Sequence, residues 1–214
     1  IRFLILSLMT LTLASCGGNL GERGLNLALG EPNDAPSGQF PRFTPLLQSP
    51  QAYALQATLV RSGVKGGFLL ESRQGSIESW LGNDGISLTL DRGLLHGTRG
   101  LSAGLLASDV SDSAALVLSG STGIADRIMT YLDGNDRAQI RAYRCEIKVQ
   151  GPQTLALDNG PTATRLMSED CNSLDESFQN LYWVDTRLGR IVQSRQWVGV
   201  EFGEMDIRVI YNFR

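Results

Sequence analysis

SIESWLGNDGISLTLD, residues 76–91, predicts two β-strands joined by a tight turn. Ile86, Leu88 and Leu90 alternate with polar residues, which is the period of a strand that buries one face. The segment Gly82–Gly85 lies between the two runs and contains Asn, Asp and Gly, the residues that hairpin turns favour. We therefore expect a β-hairpin at this point in the chain.

Short strands separated by turn signals extend along the rest of the chain after residue 50. The runs 124–132 and 139–149 flank the turn segment Asp133–Asp136 and predict a second hairpin. Residues 205–213 alternate with a period of two, and only residues 101–110 have the spacing of a helical turn or two. The sequence therefore predicts an all-β fold, an antiparallel meander forming a sandwich or open barrel, with at most one or two short helices.

The first residues have the pattern of a bacterial lipoprotein export signal. Residues 3–13 are apolar, and the run ends in Leu-Ala-Ser-Cys at Leu13–Cys16. A transmembrane helix needs about 20 apolar residues, and this run is much shorter. We expect residues 1–15 to be a lipoprotein signal peptide and Cys16 to be the lipid anchor. By resemblance to enterobacterial lipoproteins, Gly17 in the next position implies sorting to the outer membrane.

Residues 16–50 are rich in Gly, Pro, Asn and Ser and show little periodicity, which is typical of a tether. Within them, only Leu25–Leu29 is compatible with a short docked strand. We expect a lipidated tether over residues 16–50 and a single β-rich domain over residues 51–214. The lipid would hold the chain on a membrane without a membrane-spanning segment.

The composition is that of an ordinary globular protein. Hydrophobic residues make up 42% of the chain and charged residues 19%, and the formal net charge is −3. A chain with this balance lacks the basic surface that nucleic-acid binding requires, so we expect no nucleic-acid partner.

No motif for catalysis or for a bound cofactor is recognisable. His96 is the only histidine, and one imidazole cannot make a His-based metal site. We expect this histidine on the surface, since no G-x-S-x-G segment accompanies it. The paired carboxylates of a glycosidase need a separation that the sequence cannot supply. We therefore identify no catalytic residue, no cofactor and no metal site.

Cys145 and Cys171 are the two cysteines of the expected mature domain. An export signal sends both into an oxidising compartment, where we expect them to pair in a disulfide. Cys145 lies in the alternating run 139–149, so its sulfur should point into the core. A redox pair or a metal site is the alternative, but neither a C-x-x-C spacing nor a nearby histidine supports it.

The densest mixture of aromatic and hydrogen-bonding side chains surrounds Trp183, Arg195 and Trp197, which we take as a candidate contact surface. Alternation places Arg195 and Trp197 on one face of a strand. We expect this face to point inward, with Arg195 buried against a carboxylate such as Glu169 or Asp185. The alternative is an exposed platform for sugar or a partner protein.

Several short motifs follow one another along the chain: Trp80 with Asp84-Gly85, Arg92-Gly93, Thr98-Arg99-Gly100-Leu101, Tyr143 with Cys145, Glu169 with Cys171, Asn180 with Tyr182-Trp183, and Ser194-Arg195-Gln196-Trp197-Val198. Their order resembles the YjbF/GfcB family of group 4 capsule lipoproteins over about residues 50–213. The resemblance implies a β-rich single domain on the outer membrane, encoded with exopolysaccharide or capsule secretion genes, and no established catalytic residues.

These observations together predict a non-enzymatic outer-membrane lipoprotein, facing the periplasm, that serves exopolysaccharide or capsule assembly and export. Its partners would be the membrane, through its lipid, and the export machinery or the polysaccharide. One alternative is a periplasmic polysaccharide-modifying hydrolase, which would show two facing carboxylates about 5 to 9 Å apart in a cleft. Another is a lipid-binding open-barrel carrier, which would show an apolar cavity instead.

Overall fold

Several expectations concern residues that the structure does not describe. They include the signal peptide, Cys16, and the expected tether up to residue 39 with its Leu25–Leu29 segment, together with Gly134 and Asp136 of the second predicted turn. Within the described part of the chain, no helix is long and apolar enough to cross a membrane. The computed structural model describes residues 40–49, 53–133, 135 and 137–212.

The described residues form one twelve-stranded sheet and two short helices. The strand order is β5-β4-β3-β2-β1-β12-β11-β10-β9-β8-β7-β6, and all neighbouring strands are antiparallel. The all-β meander expected from the sequence is confirmed. Its elements are α1 (Phe43–Leu47), β1 (Ala54–Leu59), β2 (Lys65–Gln74), β3 (Ile77–Gly82), β4 (Ser87–Asp91), β5 (Leu94–Arg99), β6 (Leu105–Asp109), α2 (Ser111–Ser119), β7 (Gly123–Leu132), β8 (Ala138–Leu157), β9 (Gly160–Asn172), β10 (Ser177–Asp185), β11 (Ile191–Gly199) and β12 (Gly203–Ile210).

Both predicted hairpins are present. β3 pairs with β4, with Trp80 opposite Leu88, and β7 pairs with β8, with Ala125 opposite Cys145. These four side chains are buried, as one-sided burial of alternating residues requires.

The sheet curls until its two edge strands, β5 and β6, face each other. Side chains bridge this seam: the Thr98 hydroxyl accepts a hydrogen bond from the Leu105 backbone N–H (2.9 Å), and Nδ1 of His96 lies 2.7 Å from the Ser108 carbonyl oxygen. A Cβ on Gly97 would meet the Leu106 carbonyl oxygen at 3.2 Å, so a larger side chain would push the edges apart. The sheet is therefore a nearly closed barrel, and His96 lies half-buried at its seam instead of on the open surface.

The helix expected at residues 101–110 is wrong, because that run contains strand β6 and α2 begins directly after it. The Asp109 carboxylate accepts hydrogen bonds from both the backbone N–H (3.1 Å) and the hydroxyl (2.7 Å) of Ser111. This local turn ends the strand and leads the chain into the helix. Gly120 closes α2 in the left-handed conformation (φ 72°) that favours glycine.

Helix α2 fills part of the barrel interior. Ser113, Ala114 and Val117 form its buried side and pack against the inner face of the sheet. Most of the core lies on this inner face, where alternate residues of nearly every strand meet.

A second apolar cluster covers part of the outer face. Ala54, Leu69 and Leu81 occupy one row across β1, β2 and β3, and Phe43 of α1 packs over them. The backbone N–H of Phe40 also donates a hydrogen bond to the Asn83 carbonyl oxygen (2.7 Å). Residues 40–49, which were expected to belong to the tether, are thus folded onto the barrel. They remove from solvent an apolar row that would otherwise be exposed on the outer face.

Candidate functional site

A buried ion pair lies at the centre of the barrel. Arg127 on β7 and Glu169 on β9 point to the inner face, and their guanidinium and carboxylate are 2.8 Å apart. Both side chains are fully buried. Two charges in this position require further hydrogen bonds to offset the loss of water.

Three neighbouring side chains donate those hydrogen bonds to the Glu169 carboxylate. The donors are the Ser113 hydroxyl of α2 (2.5 Å), the Asn180 amide (2.7 Å) and the Tyr182 hydroxyl (2.6 Å). Burial by itself raises the pKa of Glu169, but Arg127 and these donors outweigh it and hold the pKa below its usual value. Burial and the nearby Glu169 carboxylate raise the pKa of the Tyr182 phenol well above its usual range. The carboxylate is therefore ionised and the phenol neutral.

Arg127 also ties this centre to the barrel seam. Its guanidinium donates to the Leu95 carbonyl oxygen on β5 (3.2 Å) and to the Ser108 hydroxyl on β6 (3.2 Å). One side chain thus joins both edge strands to β9 and, through Glu169, to α2. Because these groups are enclosed, we assign them to holding the barrel closed.

The disulfide lies beside the ion pair. Cys145 on β8 and Cys171 on β9 are directly opposite in the sheet and are bonded to each other in the structure. The Glu169 carboxylate and the two sulfurs lie within 4.8 Å of one another, a spacing compatible with metal binding. Since the sulfurs are joined in the disulfide, neither is a thiolate that could ligate a metal.

A cavity of about 600 Å³ opens at one end of the barrel, and we call it the mouth cavity. It lies where the inner face continues past the ends of β1, β11 and β12 to the β4–β5 turn and the end of α2. Its volume is within the range of small-molecule sites, about 300–1,000 Å³. Nine aliphatic residues line it: Ala54, Leu55, Leu90, Leu118, Ile191, Val192, Ile207, Val209 and Ile210.

Three arginines lie around the mouth cavity. Arg73 is paired with Glu78 (2.6 Å), and Arg92 is in looser contact with Asp91 (3.3 Å). Arg190 donates to the Tyr211 hydroxyl (3.0 Å) and, among the described residues, has no carboxylate within ion-pair distance. Glu78 is the one carboxylate in the lining. With Asp91, which contacts Arg92 from just outside the lining, three positive charges face two negative charges, so the surroundings of the cavity carry a net charge of +1 in a protein whose net charge is −3.

The lining also contains Trp80, which is 5% exposed. Its indole Nε1–H has no hydrogen-bond partner among the described residues. A buried donor without a partner is uncommon in native proteins, because its desolvation is not offset. The indole ring lines the mouth cavity, but its Nε1 atom is itself buried and does not face the open space.

The β4–β5 turn is fixed against β11. Arg92 is the one non-glycine residue with positive φ (52°) in the described part of the chain, and Gly93 follows with φ 90°. The side-chain amide of Gln196 donates to the Gly93 carbonyl oxygen (3.0 Å), and its oxygen accepts from the Leu95 backbone N–H (2.7 Å). These contacts hold the Arg92 backbone at the rim of the mouth cavity.

The candidate contact residues do not form one cluster. Trp183 lies on the outer face of β10, where its indole N–H donates to the Gln153 side chain (2.7 Å). Arg195 lies on the same outer face of β11, paired with Asp206 (2.7 Å) and not with the expected Glu169 or Asp185. The expectation that the face of Arg195 points inward is therefore wrong.

Trp197 is half-buried at the end of β11 and stacks on Phe178, with 5.6 Å between ring centroids. Its backbone N–H donates to the Asn180 side-chain oxygen (2.7 Å). The inward positions of this strand belong to Ser194, Gln196 and Val198. The polar Gln196 can lie inside because Gly93 and Leu95 satisfy its amide.

The two alternative functions make different demands on the lining of the mouth cavity. A hydrolase requires two facing carboxylates, whereas the lining contains only Glu78, which Arg73 neutralises. The predominance of aliphatic side chains instead meets the criterion of a lipid carrier. Sequence reasoning missed both the cavity and Arg127, although the run Ala125–Tyr131 placed that arginine at an inward position.

Comparisons with known proteins agree with this architecture. A crystal structure of the hypothetical lipoprotein YmcC from Escherichia coli (K12) is similar to the chain, with a TM-score of 0.64 and 20% sequence identity over 74% of this chain and 85% of that chain. At that identity the likeness concerns the fold. No curated protein matches the chain. The family model described as group 4 capsule polysaccharide lipoprotein GfcB, YjbF matches residues 53–210, most of the chain, and the protein therefore belongs to this family.

Proposed function

We propose that this protein is a non-enzymatic accessory lipoprotein of capsule or exopolysaccharide assembly and export, held at the periplasmic face of the outer membrane by lipid on Cys16. The observation that carries the proposal is membership of the group 4 capsule polysaccharide lipoprotein family over residues 53–210. The polysaccharide or a protein of its export machinery is the proposed partner.

The chemistry of the buried ion pair and of the mouth cavity supports binding over catalysis at these two places. Arg127 and Glu169 are enclosed, so a dissolved substrate cannot reach them in the closed barrel. In the mouth cavity, the carboxylate of Glu78 is already engaged by Arg73. A general acid or base needs free access to a substrate proton, and neither carboxylate offers it.

The anchor is supported by the sequence alone. The run Leu13–Cys16 follows an apolar segment too short to span a bilayer, and a Gly- and Pro-rich segment separates Cys16 from Phe40, the first residue that the structure describes. Acyl chains on Cys16 would keep the barrel at a membrane surface.

Deletion of the gene and complementation test this function. We expect deletion to lower surface polysaccharide, the unchanged gene to restore it, and Cys16→Ser to yield a protein without lipid that does not restore it. Arg144→Gln, at an exposed position on β8, is the matched control and should restore export. Unchanged surface polysaccharide in the deletion strain would refute the function, and a membrane form without lipid on Cys16 by mass spectrometry would refute the anchor.

A further inference from the structure

We propose that the mouth cavity binds an amphiphile, with an aliphatic chain among its apolar residues and a phosphate or carboxylate group at Arg92 and Arg190. This ligand site goes beyond the proposed role in export, which does not require it. Three properties of the cavity carry the inference.

The first property is the apolar lining. Leu55, Leu90, Ile207 and Val209 extend the inner face of the sheet into the cavity, and Leu118 closes it at the end of α2. Water inside such a lining finds few polar partners, so displacing it with hydrocarbon is favourable. An aliphatic chain fits these walls better than a polar molecule does.

The second property is the charge at the rim. Arg190 has no carboxylate partner among the described residues, and the 3.3 Å contact of Arg92 with Asp91 is longer than a strong charge-assisted hydrogen bond. Both guanidinium groups can therefore donate hydrogen bonds to an anionic head group. Arginine is well suited to this because its planar fork binds phosphate and carboxylate in two-point contacts.

The third property argues against a saccharide as the occupant. Sugar sites expose the flat faces of aromatic rings, yet the Tyr53 and Tyr211 rings in this lining are already faced by arginines. The guanidinium of Arg73 is 5.9 Å from the first ring centroid, and that of Arg190 is 5.5 Å from the second. The free surface that remains in the cavity is mainly aliphatic.

The test is a fluorescence titration of the full chain with dansyl-undecanoic acid, in a Cys16→Ser background so that no covalent lipid competes. We expect saturable binding, with energy transfer from tryptophan that falls in Trp80→Phe. Dodecyl phosphate should displace the probe, dodecanol should do so about a hundredfold less well because it loses the contacts with both arginines, and inorganic phosphate should not displace it.

Variants distinguish the contribution of the ligand's aliphatic chain to binding from that of its head group. Val209→Trp fills the cavity and should weaken probe binding at least about tenfold, because the aliphatic chain of the probe then buries less apolar surface. Arg92→Asn and Arg190→Gln should each weaken dodecyl phosphate about tenfold and leave dodecanol unchanged. Asn tolerates the positive φ at residue 92, so that variant keeps the turn. Arg144→Gln is the matched control and should bind as the parent does.

Three results would overturn the proposal: absence of saturable binding, wild-type affinity in a folded Val209→Trp variant, or displacement by an acidic oligosaccharide or inorganic phosphate as effective as that by dodecyl phosphate. Should Val209→Trp fail to fold, Leu118→Trp at the end of α2 blocks the same cavity from another element. None of these results bears on polysaccharide export, which the deletion strain tests separately.

Discussion

The guanidinium of Arg127 on β7 lies 2.8 Å from the carboxylate of Glu169 on β9, across the intervening strand β8, and neither side chain is exposed to solvent. Attraction between two buried charges offsets their desolvation only when the remaining hydrogen-bond groups are satisfied. Here Ser113, Asn180 and Tyr182 satisfy the carboxylate. The network is therefore stabilising as a complete set, and the loss of one charge leaves the other buried without its partner.

Replacing Glu169 by glutamine should lower the free energy of unfolding by about 3–5 kcal/mol, because Arg127 then keeps an uncompensated buried charge. Adding Arg127→Met to this variant should recover part of the loss, since the stranded charge is gone. Chemical denaturation of the two single variants and the double variant gives the coupling energy.

Arg195 and Asp206 provide a matched surface pair with similar geometry, 2.7 Å apart and about 40% exposed. Asp206→Asn should cost no more than about 1 kcal/mol, as is usual for exposed ion pairs. Equal costs for Glu169→Gln and Asp206→Asn would contradict the importance assigned to the buried pair.

Acid should weaken the fold through Glu169. Its pKa is lowered in the folded state, so its stabilisation is fully present above the unfolded value of about 4.3 and is lost as pH falls through the folded pKa. Between about pH 4.3 and that lower pKa, the free energy of unfolding should therefore fall more steeply in the wild type than in Glu169→Gln. Parallel pH profiles for the two proteins would show that Glu169 titrates normally.

Most of the fold could be predicted from the sequence because one-sided burial leaves a period of two. The hairpins at residues 76–91 and 124–149 carry both that period and turn residues, and both are present. Residues 101–110 were assigned wrongly because a short apolar run is compatible with either a strand or a helix. The Asp109–Ser111 contacts place the start of the helix one residue beyond this run. These contacts depend on side-chain geometry.

The site was less predictable because polar residues occupy inward positions. Arg127 and Gln196 have the side-chain chemistry of surface residues even where alternation allows them to face inward, and only their distant partners make burial possible. Those partners, Glu169 and Gly93, are 42 and 103 residues away in the chain. The mouth cavity likewise combines the ends of several strands, so no local motif marks it.

The Cys145–Cys171 disulfide should contribute about 3 kcal/mol, mainly by restricting the unfolded chain across a separation of 26 residues. Cys145→Ala should lower the melting temperature and leave Cys171 open to alkylation. In the Cys16→Ser background, unreduced and denatured protein should show no alkylated thiol by mass spectrometry. Labelling of both Cys145 and Cys171 under those conditions would mean that the bridge does not form. The double variant Cys145→Ala/Cys171→Ala lacks both the bond and the lone buried thiol. If it is as unstable as Cys145→Ala, the missing bond and not the thiol causes the loss of stability.

The candidate contact surface can be tested with two tryptophans in different settings. Trp197 stacks on Phe178, so Trp197→Ala should cost about 2 kcal/mol, less than the roughly 3–5 kcal/mol of a fully buried tryptophan. Trp183 lies on the outer face with one hydrogen bond to Gln153, and Trp183→Ala should cost about 1 kcal/mol or less. Thermal unfolding measures both costs, and surface polysaccharide in a complemented deletion strain measures function.

If the outer face is the contact surface, Trp183→Ala should reduce export while its melting temperature stays close to that of the wild type. Arg195→Gln, two residues from Trp197 on the same strand, removes a half-exposed ion pair and should reduce export in the same way at a stability cost of about 1 kcal/mol or less. In Trp197→Ala, export should fall only as far as the amount of folded protein falls, because this side chain packs on the barrel. A stable Trp197→Ala protein that fails in export would assign the contact to Trp197 itself. Full export in both Trp183→Ala and Arg195→Gln would exclude the outer face of β10 and β11 as the contact surface.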